Sequence, residues 1–226
     1  MDKLLETIEI ETGKNPTAAV IWMHGLGADG SDFVPVVDEL DLTGARAIRF
    51  VFPHAPMRPV TINGGAVMRA WYDVSFGDLE GKSRQADERG VRESQAQIAA
   101  LIEHEGSRGI AAANTVLAGF SQGGAIALQT GLRYPQKLAG VMALSTYLPL
   151  ADSLPQEAAA ANKNTPICMA HGLFDPLIPL VMGAGSMTVL TGLGYSVEWH
   201  QYPMPHSVCA QEIQDIGAWL RKVLKA

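Results

Sequence analysis

Cysteine is scarce: Cys168 and Cys209 are the only two in 226 residues. Two cannot form a disulfide framework, and no C-x-x-C spacing exists, so reduced thiols in a cytoplasmic protein are expected. The histidines lack metal-binding spacing such as H-E-x-x-H, and no metal site is expected. No G-x-G-x-x-G follows a strand-like run, so no dinucleotide cofactor is indicated. Runs of basic charge are missing as well. The 17 Lys and Arg are scattered and outnumbered by 23 Asp and Glu, for a net charge of −6. That argues against nucleic acid as a partner, because phosphate binding needs a basic face. No apolar run reaches the ~20 residues that cross a bilayer, so no integral membrane segment is expected. The start, Met1 to Thr7, carries acids and no apolar stretch, and no signal peptide is expected.

With 47% hydrophobic and 18% charged residues, the chain has ample core material. A single domain over residues 1–226 is expected, since α/β domains commonly reach this size undivided. Apolar and alternating runs predict strands at Leu5 to Ile10, Ala18 to Met23, Ala45 to Phe52, Thr115 to Ala118, Leu138 to Ser145, Ile167 to Ala170 and Tyr195 to Tyr202. Helical spacing predicts helices around Phe33 to Leu40, Gln85 to His104, from Ala125 onward, at Leu180 to Leu193 and at Cys209 to Leu224. Pro53 to about Lys82 shows no sustained period. Strands alternating with helices imply a doubly wound, mostly parallel sheet with helices on both faces. A barrel would need about eight such units, and fewer are present.

The chain turns on Gly119-Phe120-Ser121-Gln122-Gly123, a G-x-S-x-G pattern between a predicted strand and a predicted helix. A strand that turns at once into a helix forces the serine into a strained, exposed conformation. Side chains at the flanking positions would clash, which is why both are glycine. The helix then aims its amide-rich start at the serine, where charge would develop on an attacked carbonyl. A serine hydroxyl needs a base, and behind such an elbow the acid and then the histidine follow in chain order.

His171, His200 and His206 come after Ser121. His171 precedes the candidate acid and His200 sits inside an alternating strand. His206 lies in the loop between the last strand and the last helix, and is read as the general base. Asp175 follows the Ile167 to Ala170 strand and is read as its acid partner. Asp152, in a polar loop, and Asp215, mid-helix, read as solvated surface. Gln122 and Leu26, the latter in the turn His24-Gly25-Leu26-Gly27, are read as backbone donors of an oxyanion hole. His24 itself reads as a hydrogen-bonded structural residue. Met68, Trp71 and Tyr72 read either as ordinary core or as a wall of an acyl-binding cleft, because loops seldom carry large apolar groups that cover nothing. If the wall fails there, Tyr147 to Leu150 is the next candidate.

The order of motifs resembles one family over nearly the whole chain. His24-Gly25-Leu26-Gly27, Phe52-Pro53-His54-Ala55-Pro56 with Arg58-Pro59-Val60-Thr61, Asn63-Gly64-Gly65, Ala70-Trp71-Tyr72-Asp73, the elbow, His171-Gly172 with Asp175-Pro176, and Met204-Pro205-His206-Ser207 are similar to the bacterial carboxylesterase and acyl-protein thioesterase group of α/β-hydrolases. The resemblance implies an α/β-hydrolase fold and a cofactor-free serine hydrolase of short- to medium-chain acyl esters, with thioesters or lysophospholipids as alternatives. It also implies Ser121, Asp175 and His206 as the triad. Many relatives carry glycine before the catalytic histidine, where this chain has Pro205. The implied partner is a small acyl ester or an acylated protein. Dimers occur in the family, so a homodimer is a state the resemblance admits. A non-catalytic binding module on the same fold would be expected to have lost a triad residue or an elbow glycine, and none is missing.

Overall fold

The structure, a computed structural model, describes residues 4–75 and 87–225. Seven strands form one sheet: β1 Thr7–Glu11, β2 Ala18–Met23, β3 Ile48–Pro53, β6 Thr115–Phe120, β7 Gly140–Leu144, β8 Ile167–Gly172 and β9 Val197–Tyr202. Their spatial order is β1-β3-β2-β6-β7-β8-β9. β1 runs antiparallel to β3, and every other pair is parallel. Two short strands, β4 Met57–Val60 and β5 Ala66–Arg69, form a separate antiparallel hairpin. Among the described residues the α-helices are α1 Glu88–Ser107, α2 Gln122–Arg133, α3 Leu154–Glu157, α4 Leu180–Gly192 and α5 Ala210–Val223.

The central strands are buried on both faces, so their sequences are continuous apolar runs rather than alternating ones. Successive side chains still point to opposite faces. Ile21, Met23, Leu117, Val141 and Met169 pack on one side with Ile98, Leu101 and Ile102 of α1, Ile126 and Leu128 of α2, and Leu190 of α4. Val20, Trp22, Val116, Ala118, Met142 and Leu144 pack on the other side with Ile213, Ile216, Trp219 and Leu220 of α5.

The chain moves outward from β2 to β3 and returns to the opposite side of β2 as β6. A parallel sheet opens a crevice at the carboxyl ends of its strands where the order reverses. The turns after β2 and β6 therefore face each other at that edge.

Two expectations are corrected. The helix predicted around Phe33 to Leu40 is a six-residue 3₁₀ segment, Val34–Glu39, with Pro35 near its start and Val37 buried. Short connecting segments of this kind commonly take the tighter 3₁₀ form. The aperiodic stretch from Pro53 contains the β4–β5 hairpin, with Met57 opposite Arg69 and Val60 opposite Ala66. Its four-residue strands, one holding Pro59, are too short to display alternation. The part of that stretch at residues 76–82, like the predicted helix start at Gln85, lies outside the described residues.

Candidate active site

Ser121 sits between β6 and α2 with φ 55° and ψ −122°, a strained conformation for a residue with a side chain. Sterics explain the flanking glycines. A Cβ on Gly119 would lie 2.3 Å from the carbonyl of Gly123, and one on Gly123 would lie 2.3 Å from the carbonyl oxygen of Met23. The strained turn is tied down on both sides. The Ser121 amide donates to Leu144 O at 2.8 Å, and the Thr146 hydroxyl donates to Ser121 O at 2.6 Å. The first intrahelical bond of this turn runs from Ala125 N to Ser121 O, so the amides of residues 122–124 precede the helical ladder.

Asp175 and His206 come from the loops after β8 and β9. Those loops are stitched together by Leu173 N to Tyr202 O at 2.8 Å and Phe174 N to Met204 O at 3.1 Å. Gly172 permits the approach, since a Cβ there would lie 2.4 Å from the carbonyl oxygens of Met204 and Pro205. The result is a 2.6 Å hydrogen bond between His206 Nδ1 and Asp175 Oδ2. A carboxylate can only accept, so His206 Nδ1 carries a proton and donates it. The other carboxylate oxygen of Asp175 accepts from the amides of Leu177 at 2.9 Å and Ile178 at 2.8 Å. The Asp175 side chain is fully buried and that of His206 is 12% exposed. The ring of Phe120 packs 4.7 Å from that of His206.

Ser121 and His206 line one cleft of about 330 Å³, together with Gly25, Leu26 and Gln122. Its remaining wall is largely apolar and includes Ile62, Val74, Tyr147, Leu177 and Ile178. The Tyr72 and Tyr147 hydroxyls meet at 2.9 Å beside this wall.

Two groups of known proteins bear on this geometry. Residues 5–224 match the model of the Phospholipase/Carboxylesterase family. The chain belongs to that family. Acyl-protein thioesterase 1 of Neurospora crassa is 40% identical over 221 residues, 92% of this chain and 87% of the relative. Acyl-protein thioesterase 1 of Cryptococcus neoformans is 36% identical over 239 residues, 100% of both chains. Among solved structures, Arabidopsis thaliana SOBER1 superposes with a TM-score of 0.83 at 31% identity, covering 92% of this chain and 99% of that one. Zea mays acyl-protein thioesterase 2 gives 0.83 at 28%, covering 97% and 99%. The chain is a serine hydrolase with the α/β-hydrolase fold. The bacterial label in the resemblance finds no support, because these relatives are fungal and plant proteins.

Not every residue singled out in the sequence reaches the cleft of this family member. Trp71 is fully buried, packed in the core, and does not line the cleft. Its indole N–H donates to His24 O at 2.9 Å, which gives a buried tryptophan its required partner. Met68 lies outside the wall, with its sulfur accepting from Asn63 Nδ2 at 3.2 Å. Tyr72 does line the cleft, and so does Tyr147, the next candidate named. His24 is structural, accepting the Ala55 amide on Nε2 at 3.0 Å and donating from Nδ1 to Gly25 O at 2.7 Å. Burial holds its pKa below the ordinary histidine value. Asp215 holds the Tyr202 hydroxyl at 2.8 Å and is not simple solvated surface. Gln122 has a second role that the sequence hides. Its side chain accepts from Trp71 N at 2.7 Å and donates to Tyr72 O at 2.7 Å, so it fastens the cleft wall to the elbow.

Proposed function

We propose that this chain is an acyl-protein thioesterase, acting as one domain in the cytoplasm on fatty-acylated proteins. The observation that carries this reading is identity of 36–40% over nearly the full length with proteins named acyl-protein thioesterase 1. An apolar cleft running up to Ser121 suits an acyl chain. Free thiols suit a reducing compartment.

In the proposed mechanism His206 Nε2 takes the Ser121 hydroxyl proton while Oγ attacks the thioester carbonyl carbon. Asp175 holds the imidazole in the needed tautomer and stabilises the imidazolium. The amides of Leu26 and Gln122 receive the oxyanion, helped by the positive end of α2. The carbon–sulfur bond then breaks, the proton passes from His206 to the departing thiolate, and an acyl-serine remains. Water, activated by the same histidine, releases the fatty acid and restores Ser121.

A palmitoyl-cysteine peptide mixed with stoichiometric enzyme and quenched early tests this directly. The expected result is a palmitoyl mass adduct on the peptide that contains Ser121. An adduct elsewhere, or peptide turnover unchanged in Ser121→Ala, would overturn the assignment. Esters with oxygen in place of sulfur serve as the comparison, since a carboxylesterase would use the same nucleophile.

A further inference from the structure

His171 lies on β8, is fully buried, and has no part in the steps above. Its Nε2 lies 2.8 Å from Ile178 O. A carbonyl only accepts, so the ring proton sits on Nε2 and donates to Ile178. The same N–H faces Asp175 Oδ2, 3.5 Å away. Nδ1 is buried without a partner among the described residues. It faces the backbone of α4, where a Cβ on Gly183 would lie 2.5 Å from it. The ring also stacks near Trp199 of β9, with centroids 6.2 Å apart. It is thus gripped on both sides and points one donor at one carbonyl.

That carbonyl belongs to the residue whose amide holds Asp175. Ile178 donates its N–H to Asp175 Oδ1 at 2.8 Å and accepts from His171 through its O. Leu177 donates to the same Oδ1 at 2.9 Å. The far end of the loop 175–178 is held by the buried Ile178 side chain, by the start of α4 at Leu180, and by this hydrogen bond, which, among the described residues, alone fixes the Ile178 carbonyl to β8. A shift of that carbonyl would tilt the Ile178 backbone, loosen the donors to Asp175 Oδ1 and turn Oδ2 away from His206.

From this arrangement we infer that His171 is a positioning residue for the Asp175–His206 pair. It acts by clamping Ile178 O through its Nε2–H, and touches neither substrate nor reacting atoms. The inference rests on the proposed roles of Ser121, Asp175 and His206. A misplacement near 1 Å in such a pair costs roughly a hundredfold in rate, which sets the expected size of the effect.

The test compares three substitutions of His171. Glutamine can place an amide N–H near the Nε2 position; asparagine is too short to reach Ile178 O, and leucine has no donor. The expected result is a roughly hundredfold fall in kcat for His171→Leu and His171→Asn, with KM within about threefold of wild type. His171→Gln should recover to within about tenfold of wild type. Rates are counted per Ser121 labelled by a fluorophosphonate probe, so that loss of folded protein is not mistaken for loss of positioning. A second readout ignores turnover: the far-downfield proton resonance of His206 Nδ1–H, expected in wild type and His171→Gln and absent in His171→Asn. If leucine fails to fold, the contrast of asparagine with glutamine carries the test. Equal rates in asparagine and glutamine variants, or an unchanged resonance in His171→Asn, would overturn the inference. Asp175→Asn separates the two claims. Wild-type turnover in that variant would sink the reading of the site itself, whatever His171 does.

Discussion

Gly123 shows how much of the site is fixed by single atoms. Its Cα faces the carbonyls of Met23 and His24, and a Cβ would lie 2.3 Å and 2.6 Å from their oxygens. Those oxygens belong to the end of β2 and the turn that carries Leu26, so they cannot withdraw without moving the candidate oxyanion hole. Gly123→Ala is therefore expected to lower kcat by at least about a hundredfold, or to destabilise the protein by more than ~1–3 kcal/mol from overpacking. Probe labelling of Ser121 and a thermal melt would report both. A variant with normal rate and melting temperature would refute the steric account of the elbow. At this scale the sequence was highly legible, because the elbow's requirements are local: two glycines, one serine, and a strand-to-helix switch. Chain order and loop placement together singled out Asp175 and His206, which the structure joins at 2.6 Å. His171 was not legible, since its hydrogen bond to Ile178 O depends on how a loop folds back, and no spacing encodes that.

Among the elements, the segment from Pro53 was the least legible. Its hairpin strands are too short to show a period, and its aromatics had no partners visible in the sequence. The structure separates them: Trp71 fills the core beneath the wall, while Tyr72, Ile62 and Val74 face the cleft. Trp71→Ala should accordingly cost about 3–5 kcal/mol of stability, read in a denaturant melt, without selecting against long acyl chains. Leu177 lines the cleft while 56% exposed, and chain-length selectivity is expected to depend on it. Leu177→Asp should lower kcat/KM for long-chain substrates and spare acetate, since each methylene kept from water contributes up to ~0.8 kcal/mol. Equal loss on both substrates would move the acyl chain elsewhere. Helix α5 carries a different liability. Glu212 is fully buried in its first turn, and burial, reinforced by nearby Asp215, pushes its carboxyl up to about 8. With a folded value above the ordinary 4.5, its contribution is fully present below pH 4.5 and is lost as pH rises toward 8. Glu212→Gln removes that titration. Its stability relative to wild type should climb between pH 5 and pH 8 by an amount on the order of a few kcal/mol. Melts of both proteins across that range would show it, and a constant difference would contradict it.

At the scale of the whole molecule, the parallel sheet explains why distant residues meet. The strands end at one edge, and the order reverses between β3 and β6 around β2, so the turns after β2, β6, β8 and β9 converge there. The fold class was readable from alternating strands and helices, whereas the strand order was not, because register is set by pairings far apart in sequence. Among the described residues, no helix is long and apolar enough to cross a membrane. The most direct measurement is the pair of kcat/KM values for a peptide acylated on cysteine and the same peptide acylated on serine, each corrected for spontaneous hydrolysis and each repeated with Ser121→Ala. The account predicts efficient release from cysteine, slower release from serine, and none of either from Ser121→Ala. Release from serine with the cysteine-linked peptide left intact would contradict it.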